Sequence, residues 1–149
     1  IVTNIDDYVR AWVAKRIGIN GFGPSTAIGV QKDGQLICGC VYHDYRDGQI
    51  ESSIASESPR WATRSVLYSL FAYPFLQVEA NRLLVTCDES NKEAMKMNKQ
   101  LGFVPEGILR EMYYPNDAII WGMLKKECKW ITKKETENGK IQTITTTNS

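Results

Sequence analysis

The stretch Ser56-Glu57-Ser58-Pro59-Arg60-Trp61-Ala62-Thr63-Arg64 gathers groups that can hold an anion. Ser58 suits a helix N-cap and Pro59 a first helical position, so a helix read from Pro59 leaves its leading amides free. Free amides at a positive dipole end bind anions. Arg60 and Arg64 are four apart and would share one face of that helix. A pyrophosphate fits the set; an ordinary capped helix with solvated arginines is the plainer alternative. Just upstream, strand alternation over Gln49–Ala55 puts Glu51, Ser53 and Ala55 on one face and Ile50, Ser52 and Ile54 on the other. Glu51 is thereby a candidate general base reaching an incoming group through water, or else a charge on a solvated face. Glu57 is a weaker candidate, read as a helix-start charge. His43, the only histidine, lies in Tyr42-His43-Asp44-Tyr45 at a strand end and reads as polar surface. Spacing alone assembles no Ser/His/Asp or Cys/His nucleophilic set and no metal constellation.

The elements that must position these residues follow from periodicity. Asp6 to Ile17 carries Val9, Trp12, Val13 and Ile17 on a helical period. Gly18 and Gly21-Phe22-Gly23-Pro24 end that helix. Thr26–Val30, Gln35–Tyr42 and Gln49–Ala55 read as three strands joined by turns at Asp33-Gly34 and Asp47-Gly48. A second helix is expected from Pro59 to about Val78. The apolar run Leu83–Cys87 is a buried strand. Glu89–Arg110 holds a helix with Ser90 as N-cap, Glu93 closing a capping box, and Gly102 as the left-handed residue that ends it. Strands Phe103–Arg110 and Ala118–Leu124 follow. The order is α+β, with one strand–helix–strand crossover. Thr132 to Ser149, polar and rich in Thr and Lys, reads as a frayed tail or a peripheral strand. One domain over 1–131, followed by that segment, is the expected organisation.

Bulk properties exclude several classes. At 149 residues the chain can bury a core of its own, and its formal charge of +1 creates no field that recruits nucleic acid or an anionic membrane. No apolar run approaches the ~20 residues of a membrane span. No signal peptide is legible, and the chain opens at Ile1 without Met, which leaves its true start open. Cys38, Cys40, Cys87 and Cys128 fall in separate or regular strand positions and read as reduced thiols of a cytoplasmic protein.

The ordered pattern Asn91-x-x-Ala94, Leu101-Gly102-Phe103, Glu106-Gly107-x-x-Arg110 resembles the second half of the GNAT N-acetyltransferase fold. Trp121-Gly122-Met123 and Glu127-Cys128-Lys129-Trp130 look like the last strand and tail of its ribosomal-protein-acetylating branch. Ser58–Arg64 and Phe71-Ala72-Tyr73-Pro74-Phe75 resemble tailed-phage-encoded members, which would place the protein in a host cytoplasm. The resemblance implies a single-domain α+β fold with a mixed, mostly antiparallel central sheet flanked by helices. It implies acetyl-CoA as co-substrate, with Ile54, Ala55 and Ser56 facing the pantetheine arm and a free N–H among them holding the oxyanion. Arg60, Trp61, Ala62, Thr63 and Arg64 would hold the diphosphate, and Asn91 would approach the arm or cap its own helix.

The sequence also departs from the family. No glycine lies between Gly48 and Gly102, so the diphosphate loop lacks its usual glycines. The position of the family's tyrosine acid is Asn98, and that of its serine is Ala94. Tyr113, Tyr114 or water would then protonate the sulfur, and Glu51 and Ser53 would serve the incoming amine. An α-amine of pKa about 8 is far more often neutral near pH 7.5 than a lysine amine of about 10.4, whose deprotonation costs roughly 4 kcal/mol. An α-amine or small amine is therefore the expected acceptor, chosen by the loops around Ile19–Pro24 and Tyr113–Asp117, where Trp12, Phe22, Tyr113 and Tyr114 are the aromatic candidates. The alternative is a GNAT-shaped protein without catalysis that binds a host protein or another copy of itself; a homodimer is left open.

Overall fold

The computed structural model describes residues 5–131 and 141–147. Its element order is α1 (Ile5–Ile17), β1 (Ser25–Lys32), β2 (Gln35–Arg46), β3 (Gln49–Ser56), α2 (Arg64–Ala72), β4 (Arg82–Asp88), α3 (Lys92–Leu101), β5 (Val104–Tyr113), β6 (Asn116–Leu124) and β7 (Ile141–Thr147). The strands form one seven-stranded sheet in the order β5-β6-β4-β3-β2-β1-β7. Only β3 and β4 run parallel, joined by the α2 crossover, and the remaining neighbours are antiparallel. The expected α+β architecture, a mixed sheet flanked by helices, is the one observed. The segment expected as a tail or peripheral strand lies outside the described residues at 132–140 and 148–149, while Ile141–Thr147 pairs with β1.

Alternation sorts the side chains into two cores. On one face Val9 and Val13 of α1 pack on Ala27, Leu36 and Val41. On the other, Val66, Leu67, Leu70 and Phe71 of α2 and Leu101 of α3 pack on Cys38, Cys40, Tyr42, Ile50, Leu83 and Val85. Gly29 and Gly39 are cross-strand partners beneath α1. A Cβ on Gly39 would stand 2.6 Å from Val13 Cγ2, and one on Gly29 would stand 3.0 Å from Val9 Cγ2. Bare backbone here lets α1 lie close to the sheet, which sets where its C-terminal residues Arg16 and Ile17 project.

Two local expectations are corrected. The second helix does not run from Pro59 to Val78: Pro59–Trp61 is a single 3-10 turn, α2 proper begins at Arg64, and Tyr73–Gln77 widens into a π turn. Thr63 is the N-cap, its Oγ1 accepting from Val66 N at 3.4 Å. Ala62 at ψ 54 and Thr63 at ψ 160 break the helical path, so Arg60 and Arg64 do not share a helix face. Nor is Ser90 the cap of α3. Asn91 is, with Oδ1 accepting from Ala94 N at 3.1 Å, because Ser90 is already turned back on Asp88 through two 2.9 Å hydrogen bonds. The C-terminal signal holds: Gly102, at φ 107, ends α3.

Candidate active site

The β3–β4 ladder pairs Gln49 with Arg82 through Ser52 with Val85 and ends there, while β3 continues to Ser56 and β4 to Asp88. The two parallel strands splay, and the edge of β3 beyond Ser52 faces a gap. The backbone groups that face it follow from alternation. Glu57 N donates to Ile37 O at 2.8 Å, so Glu57, Ala55 and Ser53 turn their amides toward β2. Ile54 and Ser56 then turn theirs toward the gap. Of the three residues expected to face a ligand by their backbones, Ile54 and Ser56 turn their amides to the gap and Ala55 turns its amide to β2. Its methyl packs instead toward α1.

A groove of about 910 Å³ occupies this gap, walled by Ile54, Ala55, Ser56 and Ser58 on one side and by Asn91, Ala94 and Met97 of α3 on the other. It continues into a second cavity of about 270 Å³, reached past Ile54, Asn91 and Met97 and lined on its far side by Ser53, Thr86 and Tyr113. Trp61 is 2 % exposed and belongs to the core, so its indole is a floor to the groove rather than a plug in it. Ala62 borders the groove. Arg60, Thr63 and Arg64 do not line it; the two arginines are exposed, and Arg64 stands 6.0 Å over the Trp130 ring. The 3-10 turn is capped by Ser58 Oγ, which accepts from Arg60 N at 3.2 Å. With Val66 N taken by Thr63, the amides of Arg64 and Ser65 are the ones the start of α2 offers to an outside acceptor. Trp130 also lines the groove, its Nε1 donating to Leu101 O at 2.8 Å at the C-terminus of α3.

No local sequence signal singles out Arg16. It lines both cavities, stacks 3.6 Å over the Trp12 ring and pairs with Glu57 across the mouth of the groove. Glu57 is thus an ion-pair partner that ties the end of α1 to the end of β3. Asn98 is 4 % exposed and reaches the smaller cavity. Tyr113 Oη lies 3.3 Å from Thr86 Oγ1 on the wall of that cavity, whereas Tyr114 is 80 % exposed. Trp12 and Phe22 pack against the α1 core and line neither cavity.

Glu51 also lines neither cavity. It sits behind His43, with Oε2 3.9 Å from Nδ1, and burial raises its carboxyl above the usual range. His43 makes two closer contacts: Nε2 to Ser53 Oγ at 2.9 Å and Nδ1 to Asp44 Oδ2 at 2.6 Å. The His43 hydrogen bond holds the Asp44 carboxyl below its usual range. Sequence spacing offered no Ser/His/Asp set, yet β2–β3 register assembles one. Among the described residues His43, Asp44 and Glu51 are also the one group of three donor side chains within 4.8 Å of one another, and the Nδ1 of that group is already taken by Asp44. The four cysteines are free; burial pushes Cys40 up to about 12 and raises Cys38, Cys87 and Cys128, which keeps them protonated and unreactive.

No protein-family model and no curated protein sequence matches the chain. Solved structures do. A GNAT-family acetyltransferase from Bacillus anthracis superposes with TM-score 0.57 at 18% identity, covering 78% of this chain and 73% of that one. A spermidine N-acetyltransferase variant from Vibrio cholerae gives 0.57 at 19%, covering 85% and 78%. The ribosomal-protein-S5-alanine acetyltransferase from Vibrio fischeri gives 0.53 at 17%, covering 64% of this chain; this chain spans only 57% of its length. The fold is that of the GNAT acetyltransferases. Among the described residues no helix is long and apolar enough to cross a membrane.

Proposed function

We propose that the protein is an N-acetyltransferase that moves an acetyl group from acetyl-CoA to a primary amine by direct attack in a ternary complex. The observation that carries this reading is the splay of β3 from β4, with a long groove on one side of it and a small cavity on the other. The groove would take the pantetheine arm, pairing with the outward backbone groups of Ile54 and Ser56 and meeting Asn91. The Ile54 amide would hold the oxyanion, a contribution worth about 3 kcal/mol when one such donor is lost. The amides of Arg64 and Ser65, beside Ala62 and Thr63, would receive the diphosphate, with the exposed side chain of Arg60 as a further cation. The smaller cavity, with Ser53 and Tyr113 on its wall, would admit the amine, and Tyr113 would return a proton to the sulfur. Glu51 would contribute from behind the cavity wall.

Its size suits an α-amine or a slender polyamine end better than a folded lysine-bearing surface. Acetylation mapped mainly to internal lysines of a protein would overturn that assignment. A second reading, a non-catalytic binding protein, is favoured by the edge strand β5, where Ile108 is 62 % and Met112 51 % exposed. Titration calorimetry with acetyl-CoA separates the two. One-site heat is expected, with thermal stabilisation of about 2.7 kcal/mol at a hundredfold excess over Kd. Neither heat nor a thermal shift at millimolar ligand leaves only the binding protein.

A further inference from the structure

The acceptor amine arrives mostly as an ammonium ion, and something must take its proton before the nitrogen can attack. Asp88 lines the cavity, but its carboxylate already accepts from Ser90 and Asn116, and Glu51, the only acid on the same strand face, does not reach it. Ser53 does, and its hydroxyl is not isolated: Oγ lies 2.9 Å from His43 Nε2, and His43 Nδ1 lies 2.6 Å from Asp44 Oδ2. These distances agree with one tautomer. An ionised Asp44 accepts from Nδ1–H, which leaves Nε2 with a lone pair to accept from the Ser53 hydroxyl. The backbone enforces the arrangement. Asp44 is held at φ 55, in the left-handed region, and the β2–β3 register shifts just past His43, which turns the Asp44 side chain back along the strand toward the ring. Phe22 covers the imidazole, ring centroids 5.3 Å apart, and the His43 side chain is 17 % exposed.

We propose that Ser53, His43 and Asp44 form the proton relay of the transfer, an inference that rests on the acetyltransferase reading. The Ser53 hydroxyl takes one proton from the ammonium group as it passes its own to His43 Nε2. The imidazolium is held by Asp44. The neutral amine then attacks the thioester carbonyl, the carbon–sulfur bond breaks, and a second N–H proton goes to the sulfur. The third stays on the amide, and His43 returns its proton to water along the exposed Asp44 side. Ser53 is the catalytic residue; His43 acts through it and is a positioning residue that also stores the proton. The groups facing the ring are few. Asp44 lies on β2, Glu51 on β3, and Phe22 in the loop after α1. On β1 the cross-strand partner is Ser25, whose carbonyl accepts from Arg10 of α1, itself paired with Asp6 and Asp7. The split between a lowered Asp44 and a raised Glu51 agrees with Asp44 being the carboxylate that stays charged beside the ring.

Because His43 is the only histidine in the chain, its imidazole nitrogens can be read by ¹⁵N NMR without assignment. The neutral ring is expected as the Nδ1–H tautomer, with the Nε2 resonance moving in Ser53→Ala and the Nδ1 resonance in Asp44→Asn. An Nε2–H tautomer, or an Nε2 signal indifferent to Ser53→Ala, overturns the relay whether or not the protein is active. Acetyl-CoA consumption with a short peptide bearing a free α-amine supplies the second arm. Ser53→Ala and His43→Gln are each expected to lower kcat/KM by 10²-fold or more. The acid limb of the pH profile should coincide with the His43 midpoint from the NMR series and vanish in His43→Gln. Retained acetyl-CoA binding with unchanged kcat/KM in both variants overturns the relay alone; no acetyl-CoA binding by the wild type removes the acetyltransferase reading instead. Two further results would also sink the relay: an acetyl group found on Ser53 by mass spectrometry, and loss of the Nδ1 signal to added Zn²⁺ with a gain in turnover.

Discussion

Asn91 does two separable things, and substitution can pull them apart. Its Oδ1 caps α3 at 3.1 Å from Ala94 N, while its side chain also borders both cavities. Asn91→Ala removes the acceptor and leaves a helix-start amide without a protein partner, which costs about 1 kcal/mol within a range of 0.5–2. For a chain of this length that is a fall in Tm of about 2–4 °C. Asn91→Asp keeps an acceptor at the same place and adds a negative charge where the helix dipole favours one, by roughly 0.3–1 kcal/mol. Its stability is therefore expected to equal or exceed that of the wild type. Both changes delete the amide N–H donors, so both should weaken acetyl-CoA. Loss of one neutral hydrogen bond is worth about 0.5–1.5 kcal/mol, or roughly 2- to 12-fold in Kd, and the charge of Asp beside a polyanionic ligand adds to that. Urea melts give the first quantity and calorimetry the second. Equal destabilisation by Ala and Asp would refute the capping account, and wild-type affinity in Asn91→Asp would refute the claim that this amide faces the ligand.

Gly39→Ala should destabilise by about 1–3 kcal/mol in urea melts, because its Cβ would meet Val13 Cγ2 at 2.6 Å. Adding Val13→Ala should recover part of that loss, and strict additivity of the two changes would show that α1 does not rest on this glycine. Burial raises the Glu51 carboxyl, so the folded protein holds that proton more tightly than the unfolded chain does. Its stabilising effect is complete below the ordinary carboxylate range and is lost as pH rises through the folded value. Glu51→Gln should accordingly gain on the wild type toward neutral pH and match its pH slope in acid, as read by melts across that window; a variant that loses stability at neutral pH would contradict the sign. Trp61→Ala should cost about 3–5 kcal/mol, since the 2 %-exposed indole is core as well as groove floor. A loss under about 1 kcal/mol would mean the indole is not packed as described.

Much of this molecule could be read locally. Val9, Val13 and Ile17 repeat with helical period, Glu51 and Ile54 fall on opposite faces of a strand, and Asp33-Gly34, Asp47-Gly48 and Gly102 sit where positive φ is needed; each signal is a property of a few neighbouring residues. The misplaced boundaries fail for the same reason. Ser58-Pro59 is a sound helix start by residue type, but Trp61 is pulled into the core, and the chain resets through Ala62 before α2 begins at Arg64. Ser90 is likewise a sound cap until Asp88 captures it. What no window of sequence contains is the site itself. The end of the β3–β4 ladder at Ser52–Val85, the placing of Arg16 over the groove and the meeting of Ser53 with His43 join residues from different elements. They are set by sheet register and by how closely α1 approaches Gly29 and Gly39. Local propensity fixed the elements and the face each side chain takes, while the gap between two strands, and hence which polar groups meet across it, was decided by packing over long sequence separations.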